Sequence, residues 1–285
     1  MHIPPHDNRN EAIVPANGEH VPLNYFNIVR LKRGEAFEYD VPGYETCVVP
    51  ATGTVEVSVE GRDFGPLGNR GEDVWDGEPE GLYVPTGAKA AMRCVSDAAE
   101  VFVAGAKFDE RLEPFAVKGE EIDLVQYGSD DTKTHRKIKH ILGQRQAGQV
   151  GRLLVSELFT VGQGGWSGFP PHRHSEDRRN EAGGLIETRH DETYNFRFRP
   201  KHGFGLHLLQ QEGDAVGEAF HLIDGSTFCI PSGYHPCVAA PGYEMYYFTI
   251  LGGLSQRPLV QYFQDAHAYQ IETIPGIKDM VAKFK

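Results

Sequence analysis

The sequence predicts an all-β protein built from two similar β-barrels, and three features of the chain carry that prediction. First, 33 glycines and 18 prolines are spread evenly along 285 residues and cut the chain into short runs rich in Val, Ile, Phe, Tyr and Thr. Second, several runs alternate apolar and polar residues with period two, as in Thr54-Val55-Glu56-Val57-Ser58-Val59, which suits a strand buried on one face. Third, the chain repeats itself weakly. Gly81-Leu82-Tyr83-Val84-Pro85-Thr86-Gly87-Ala88-Lys89 parallels Ser226-Thr227-Phe228-Cys229-Ile230-Pro231-Ser232-Gly233-Tyr234-His235, each reading as a strand, a Pro-x-Gly turn and a new strand.

The elements follow in order. Strands are expected at Thr46-Cys47-Val48-Val49, Thr54 to Val59, Gly81 to Val84 and Glu100 to Ala104, which assigns residues 1–106 to an N-terminal barrel. Residues 107–150 read as a linker, polar and charged at Gly128-Ser129-Asp130-Asp131-Thr132-Lys133, with one short helix. Residues 151–285 form the C-terminal barrel, with strands such as Leu153 to Phe159 and Met245 to Ile250 and a tail that carries a helix around Ile277 to Phe284. A composition 40% hydrophobic is ample for two cores.

A net charge of −12 argues against nucleic acid or an anionic membrane as partner. It leaves room for a small anionic substrate in a locally basic pocket. Cys47, Cys94, Cys229 and Cys237 form no CxxC pair and read as small core residues. Met1-His2-Ile3-Pro4-Pro5 has neither the basic nor the apolar region of a signal peptide, so a cytoplasmic location is expected, with a homo-oligomer possible.

The chemistry concentrates in the second barrel. His172 and His174 lie two apart and so share a strand face. Glu192 follows in Asp191-Glu192-Thr193-Tyr194, with Asp191 and Glu187 as alternative carboxylates, and His235 closes the Pro-x-Gly block. Three imidazoles and a carboxylate suit a divalent metal, zinc first and manganese, iron, nickel or cobalt behind it, with positions left open for a substrate. In the first barrel the place of His235 is taken by Lys89, and those of His172 and His174 by Asp40 and Pro42, with Glu45 as the counterpart of Glu192. That barrel is expected to be metal-free.

These blocks resemble the cupin superfamily, whose pattern is HxH, a glutamate, then PxG and a histidine. Residues 175–191 separate His174 from Glu192, where a cupin usually has only a few. With Gly164 to His174, Asp191 to Arg197, Ile230 to Pro236 and Gly242 to Tyr247, the long spacing is similar to the 5-deoxy-glucuronate isomerases of inositol catabolism, relatives of the 4-deoxy-uronate isomerases of pectin breakdown. The resemblance extends over Asp76 to Gly87 and Arg136 to Leu142. It implies a bicupin of two double-stranded β-helix (jelly-roll) barrels, metal ligation by His172, His174, Glu192 and His235, and an aldose–ketose isomerisation of a sugar acid. Asn195-Phe196 and His207 depart from the family's usual residues.

An isomerase of this kind needs a proton carrier besides the ligands. Tyr194, Tyr246 and His207 are the candidates, with Tyr234 and Tyr243 expected in the substrate pocket. A substrate carboxylate calls for a guanidinium, and Arg197 is the first expectation, with Arg136 or Lys137 second. Two other readings share the residues: an Fe(II) dioxygenase, and a non-catalytic sugar-binding bicupin.

Overall fold

The computed structural model describes residues 1–283 and contains two antiparallel barrels. The N-terminal barrel is a six-stranded sheet facing a four-stranded one. The larger sheet runs Phe115–Val117, Gly81–Val84, Tyr44–Thr52, Ala98–Lys107, Asn24–Lys32 and Ala12–Val14. The smaller runs Ala36–Tyr39, Ala90–Cys94, Val55–Val59 and Arg62–Leu67. In the C-terminal barrel a seven-stranded sheet, His2–Ile3, Thr227–Ile230, His190–Arg199, Glu244–Gly253, Leu153–Thr160, Arg136–Leu142 and Asp123–Tyr127, faces Trp166–Ser167, Cys237–Ala239, Phe204–Leu209 and Glu218–Ile223.

The expected boundaries are crossed in two places. His2 and Ile3 pair with Phe228 and Thr227 of the second barrel. The stretch read as a linker contains three strands: Phe115–Val117 extends the first barrel's large sheet, whereas Asp123–Tyr127 and Arg136–Leu142 extend the second's. Its helical content is two single 3-10 turns, Gly119–Glu121 and Gln144–Gln146. The tail ends in the helix Ile277–Lys283; Phe284, to which the expected helix ran, lies outside the described residues.

The two large sheets pack against each other, so the barrels share a core. Phe26, Ile28 and Phe102 of the first pack with Val155, Phe248 and Ile250 of the second, and the Phe102 and Phe248 rings lie 4.8 Å apart. The central large-sheet strands, such as Tyr44–Thr52, Leu153–Thr160 and Glu244–Gly253, are therefore buried on both faces, one toward their own barrel and one toward the other barrel. In His190–Arg199 the even positions Glu192, Tyr194, Phe196 and Phe198 point into the barrel. The odd positions meet the neighbour: Asp191 accepts from Leu23 N at 2.9 Å, Thr193 Oγ1 meets Asn24 Nδ2 at 3.1 Å, and Arg197 pairs with Glu100 at 2.7 Å.

Register also settles what replaces Glu192 in the first barrel. Glu192 stands opposite Ile230, and the repeat aligns Ile230 with Val84, whose partner is Thr46. Thr46, hydrogen-bonded to the Tyr39 hydroxyl at 2.9 Å, is the counterpart, not Glu45. Glu45 points out of its barrel, where its carboxylate accepts from the backbone N–H groups of Gly151, Arg152 and Leu153 and from the Tyr83 hydroxyl. It pins the start of the second barrel to the first.

Candidate metal centre

His174 Nε2, Glu192 and His235 come together inside the second barrel, with candidate ligand atoms all within 4.8 Å of one another. Glu192 Oε2 lies 3.0 Å from His174 Nε2 and 3.2 Å from His235 Nε2. Each imidazole has its other nitrogen against a backbone carbonyl. His174 Nδ1 is 2.8 Å from His190 O, His235 Nδ1 is 2.8 Å from Gly233 O, and His172 Nδ1 is 3.3 Å from Pro170 O. Donation from Nδ1 fixes the tautomer and leaves Nε2 as a lone pair, the arrangement that prepares a histidine for a metal. Gly233 makes the His235 contact possible: its φ of +96° turns the Pro-x-Gly corner, and a Cβ there would lie 2.8 Å from Gln211 Nε2.

His172 lies outside the tight trio. Its ring is 4.8 Å from His235 and 6.3 Å from His174, and its Nε2 lies 3.0 Å from Gln261 Nε2. The strand Tyr262–Phe263 holds it there, pairing Phe263 with His172 and Tyr262 with Arg173. The donor set fits a divalent cation. His235 Nε2 is buried and faces Glu192 Oε2, and Glu192 is 4% exposed with its charge countered by imidazoles. Burial alone would push the Glu192 carboxyl up, but hydrogen bonding and charge from His174 and His235 hold it well below the usual carboxylate range. Burial pushes His172 well down, so its ring is neutral.

The competing carboxylates have other tasks. Asp191 faces the first barrel, and Glu187 binds Arg173 at 3.2 Å, Arg178 at 3.0 Å and Ser175 N at 2.7 Å. Arg173, between His172 and His174, points the other way, with Tyr234 and Tyr262 against its guanidinium. This network staples the long 175–187 insertion to the barrel mouth.

Beside the trio is a small cavity lined by His172, His174, Glu192, Tyr194 and Arg136, with Tyr247, Thr249, Gln261 and Met280 among its other walls. Tyr194 is fully enclosed, and burial, then the Glu192 charge, raises its hydroxyl well above its ordinary value. Arg136 is 2% exposed; it donates to Ser167 Oγ at 3.0 Å and to Phe169 O at 2.8 Å, and stacks on Tyr127. Its Nε has no partner, and no carboxylate pairs with it among the described residues.

The remaining expectations are placed elsewhere. Arg197, first choice for the substrate carboxylate, is corrected: it stands an odd number of residues from Glu192, on the opposite strand face, bonded to Glu100 and Asn195. Tyr246 is corrected for the same reason; it faces the inter-barrel core, donating to Glu157 at 2.9 Å beside Arg70. The cavity tyrosine on that strand is Tyr247, 2.6 Å from Ser167 Oγ. Tyr243 packs with His202 and Phe204 away from the cavity, and Tyr234 lines a separate crevice with Trp166, Phe169 and Gln264. His207 is buried behind the trio, stacked on Phe228 at 4.0 Å and 6.4 Å from His235, and is not a cavity wall. Tyr247, Ser167, Thr249 and Gln261 escaped the sequence reading. Tyr247 pairs with Phe196, an inward position of the Glu192 strand, and that pairing between distant segments sets its face.

A family model described as the KduI/IolB family matches residues 2–270. A 5-deoxy-glucuronate isomerase of Geobacillus kaustophilus is 29% identical over 254 residues, covering 88% of each chain. The solved structure of an IolB-like protein from Salmonella typhimurium LT2 superposes with a TM-score of 0.80 at 24% identity, covering 94% of this chain and 98% of that one. An oxalate decarboxylase from Lactobacillus farciminis shares the fold at a TM-score of 0.61 and 9% identity, covering 90% and 83%. The fold is a bicupin, and its His/Glu cluster suits a divalent metal. No helix among the described residues is long and apolar enough to cross a membrane.

Proposed function

Since the chain belongs to the KduI/IolB family, we propose that it is a metal-dependent aldose–ketose isomerase acting on 5-deoxy-glucuronate to give 2-deoxy-5-keto-gluconate, the reaction its relatives are named for. One observation supports a sugar acid above other substrates: a buried arginine without a carboxylate partner lines the same cavity as the His/Glu cluster. An uncompensated buried cation is costly, and a substrate carboxylate relieves that cost.

His174, Glu192 and His235, joined by His172, would hold the ion, zinc by our reading. A divalent ion there supplies Lewis-acid polarisation of a carbonyl and its neighbouring hydroxyl. The protein's own residues bind and orient the substrate and shield it from water. Arg136, its geometry set by Ser167 and Phe169, receives the carboxylate and fixes which end of the substrate meets the cluster. Tyr194 and Tyr247 keep their protons because burial raises both hydroxyls well above the ordinary tyrosine value. They therefore act as hydrogen-bond donors to substrate oxygens rather than as bases. Leu251, Leu259, Phe263 and Met280 exclude water from the reacting carbons.

The test is elemental analysis of the purified protein, followed by incubation with 5-deoxy-glucuronate under nitrogen. A bound divalent ion and anaerobic formation of the keto acid are expected. Metal-loaded protein that gives no product would overturn the reading, and turnover only with oxygen would replace it with a dioxygenase.

A further inference from the structure

Three polar atoms on the cavity wall are buried without a hydrogen-bond partner: Arg136 Nε, Thr249 Oγ1 and Gln261 Oε1. They differ in kind. Arg136 Nε is a donor on a cation, Gln261 Oε1 an acceptor, and the Thr249 hydroxyl can do either. A buried acceptor without a donor is costly, so such atoms are uncommon unless a ligand completes them. The missing partner for an amide oxygen is a neutral or cationic donor. A sugar acid brings several hydroxyls to the same cavity in which Arg136 takes its carboxylate.

Gln261 is also held firmly. Its neighbour Val260 exchanges hydrogen bonds with Thr188 at 2.9 Å and 3.0 Å, and Tyr262 and Phe263 pair with Arg173 and His172. The amide nitrogen lies 3.0 Å from His172 Nε2. The carbonyl oxygen Oε1 is the amide atom buried without a partner. A side chain fixed by paired backbone on both sides can discriminate, because its carbonyl cannot swing away to another donor.

We propose that Gln261 is a specificity-determining residue that accepts a hydrogen bond from a hydroxyl of the polyhydroxy acid, with Thr249 completing that wall. The proposal rests on the sugar-acid reading of the site and adds to it the residue that reads the hydroxyl pattern.

The test compares wild-type enzyme, Q261M and T249V on 5-deoxy-glucuronate and on analogues each lacking one hydroxyl. In wild type, one analogue is expected to lose about 10- to 100-fold in kcat/KM relative to the parent. In Q261M the parent drops by a similar factor, mainly through KM, that analogue suffers no further loss, and metal content stays unchanged. Discrimination in Q261M equal to wild type overturns the proposal, as does loss of metal together with activity. If Q261M does not fold, Q261N, whose carbonyl is withdrawn by one methylene, makes the same comparison. Calorimetric binding of the same compounds separates the two levels of the argument. Hydroxyl-sensitive binding that depends on Gln261 without turnover keeps this inference and removes the isomerase reading. A wild-type protein that binds no polyhydroxy acid overturns both.

Discussion

His174 Nε2 lies 3.0 Å from Glu192 Oε2 while the other nitrogen of the same ring meets the His190 carbonyl at 2.8 Å. The ring is thus oriented from behind, with Nε2 turned toward the carboxylate. His174→Ala should remove bound metal and activity together, measured by elemental analysis after dialysis and by turnover. Glu192→Gln keeps the shape but removes the negative charge, and about a 10-fold or greater weakening of metal affinity is expected, read by chelator competition. A His174→Ala protein that retains stoichiometric metal would remove this residue from the ligand set.

Arg136 makes a prediction of two opposite signs. A buried guanidinium with no carboxylate beside it carries an uncompensated desolvation cost, which offsets its hydrogen bonds to Ser167 and Phe169. Arg136→Met should therefore leave Tm unchanged or raise it while KM for the sugar acid rises steeply. Thermal melts of ligand-free protein and steady-state kinetics check the pair. A Met variant that melts lower and binds substrate normally would make Arg136 structural.

Tyr246 and Tyr247 are adjacent, yet they should fail in different ways. Tyr247→Phe removes the hydroxyl that meets Ser167 at 2.6 Å, next to the Arg136 contact. Tyr246→Phe takes one bond from the Glu157 carboxylate, which Arg70 also holds between the barrels. The first is expected to lower kcat/KM with little change in stability. The second should lower stability by about 1–3 kcal/mol and leave kinetics near wild type. Urea denaturation alongside kinetics distinguishes them.

His140 supplies a pH dependence. Burial pushes its imidazole down to about 4, and its Nδ1 meets Ser156 Oγ at 2.8 Å. In the unfolded chain it takes up a proton near the ordinary value of about 6.5. The folded state therefore binds fewer protons between these values. Its contribution is full above about pH 6.5, declines by about 1.4 kcal/mol per pH unit as pH falls, and levels off below about 4. His140→Gln should flatten the stability–pH slope by that amount over this window, measured by urea melts at pH 7, 6 and 5.

The pattern of errors in the sequence reading has a physical origin. The ligand blocks were legible because His172, His174 and the Pro-x-Gly turn before His235 are local, and local spacing fixes which face a strand residue occupies. Arg197 has the guanidinium that a substrate carboxylate calls for, but its odd separation from Glu192 puts it on the opposite strand face, against Glu100. Tyr246 was harder: its face depends on the pairing of Phe196 with Tyr247, a relationship between distant segments. The linker misled for a similar reason. Arg136–Leu142 is polar in composition, yet Arg136, Lys139 and His140 are all buried there, each with a specific partner. Polarity in this strand marks a network at the inter-barrel seam and the cavity floor, not solvent.

The cavity has a volume of about 30 Å³. That is room for roughly one or two waters, whereas sites that hold small molecules typically enclose about 300 Å³ or more. Substrate entry therefore requires a wall to move. The strands carrying Glu192, Tyr247 and Arg136 are fixed in the seven-stranded sheet, and Tyr262–Phe263 is paired to the HxH segment. Met280 is different. It sits on the seven-residue helix Ile277–Lys283, too short to be stable alone, and this segment is tied to the barrel by apolar packing, a Gly128 N to Pro275 O bond of 2.8 Å and a Lys283–Asp123 pair at 3.3 Å. Met280→Ala should ease entry and lower KM several-fold with metal content unchanged, while Met280→Trp should fill the cavity and raise KM. Steady-state kinetics on the two variants checks both directions, and equal KM values in wild type, Ala and Trp forms would mean that the opening lies at another wall.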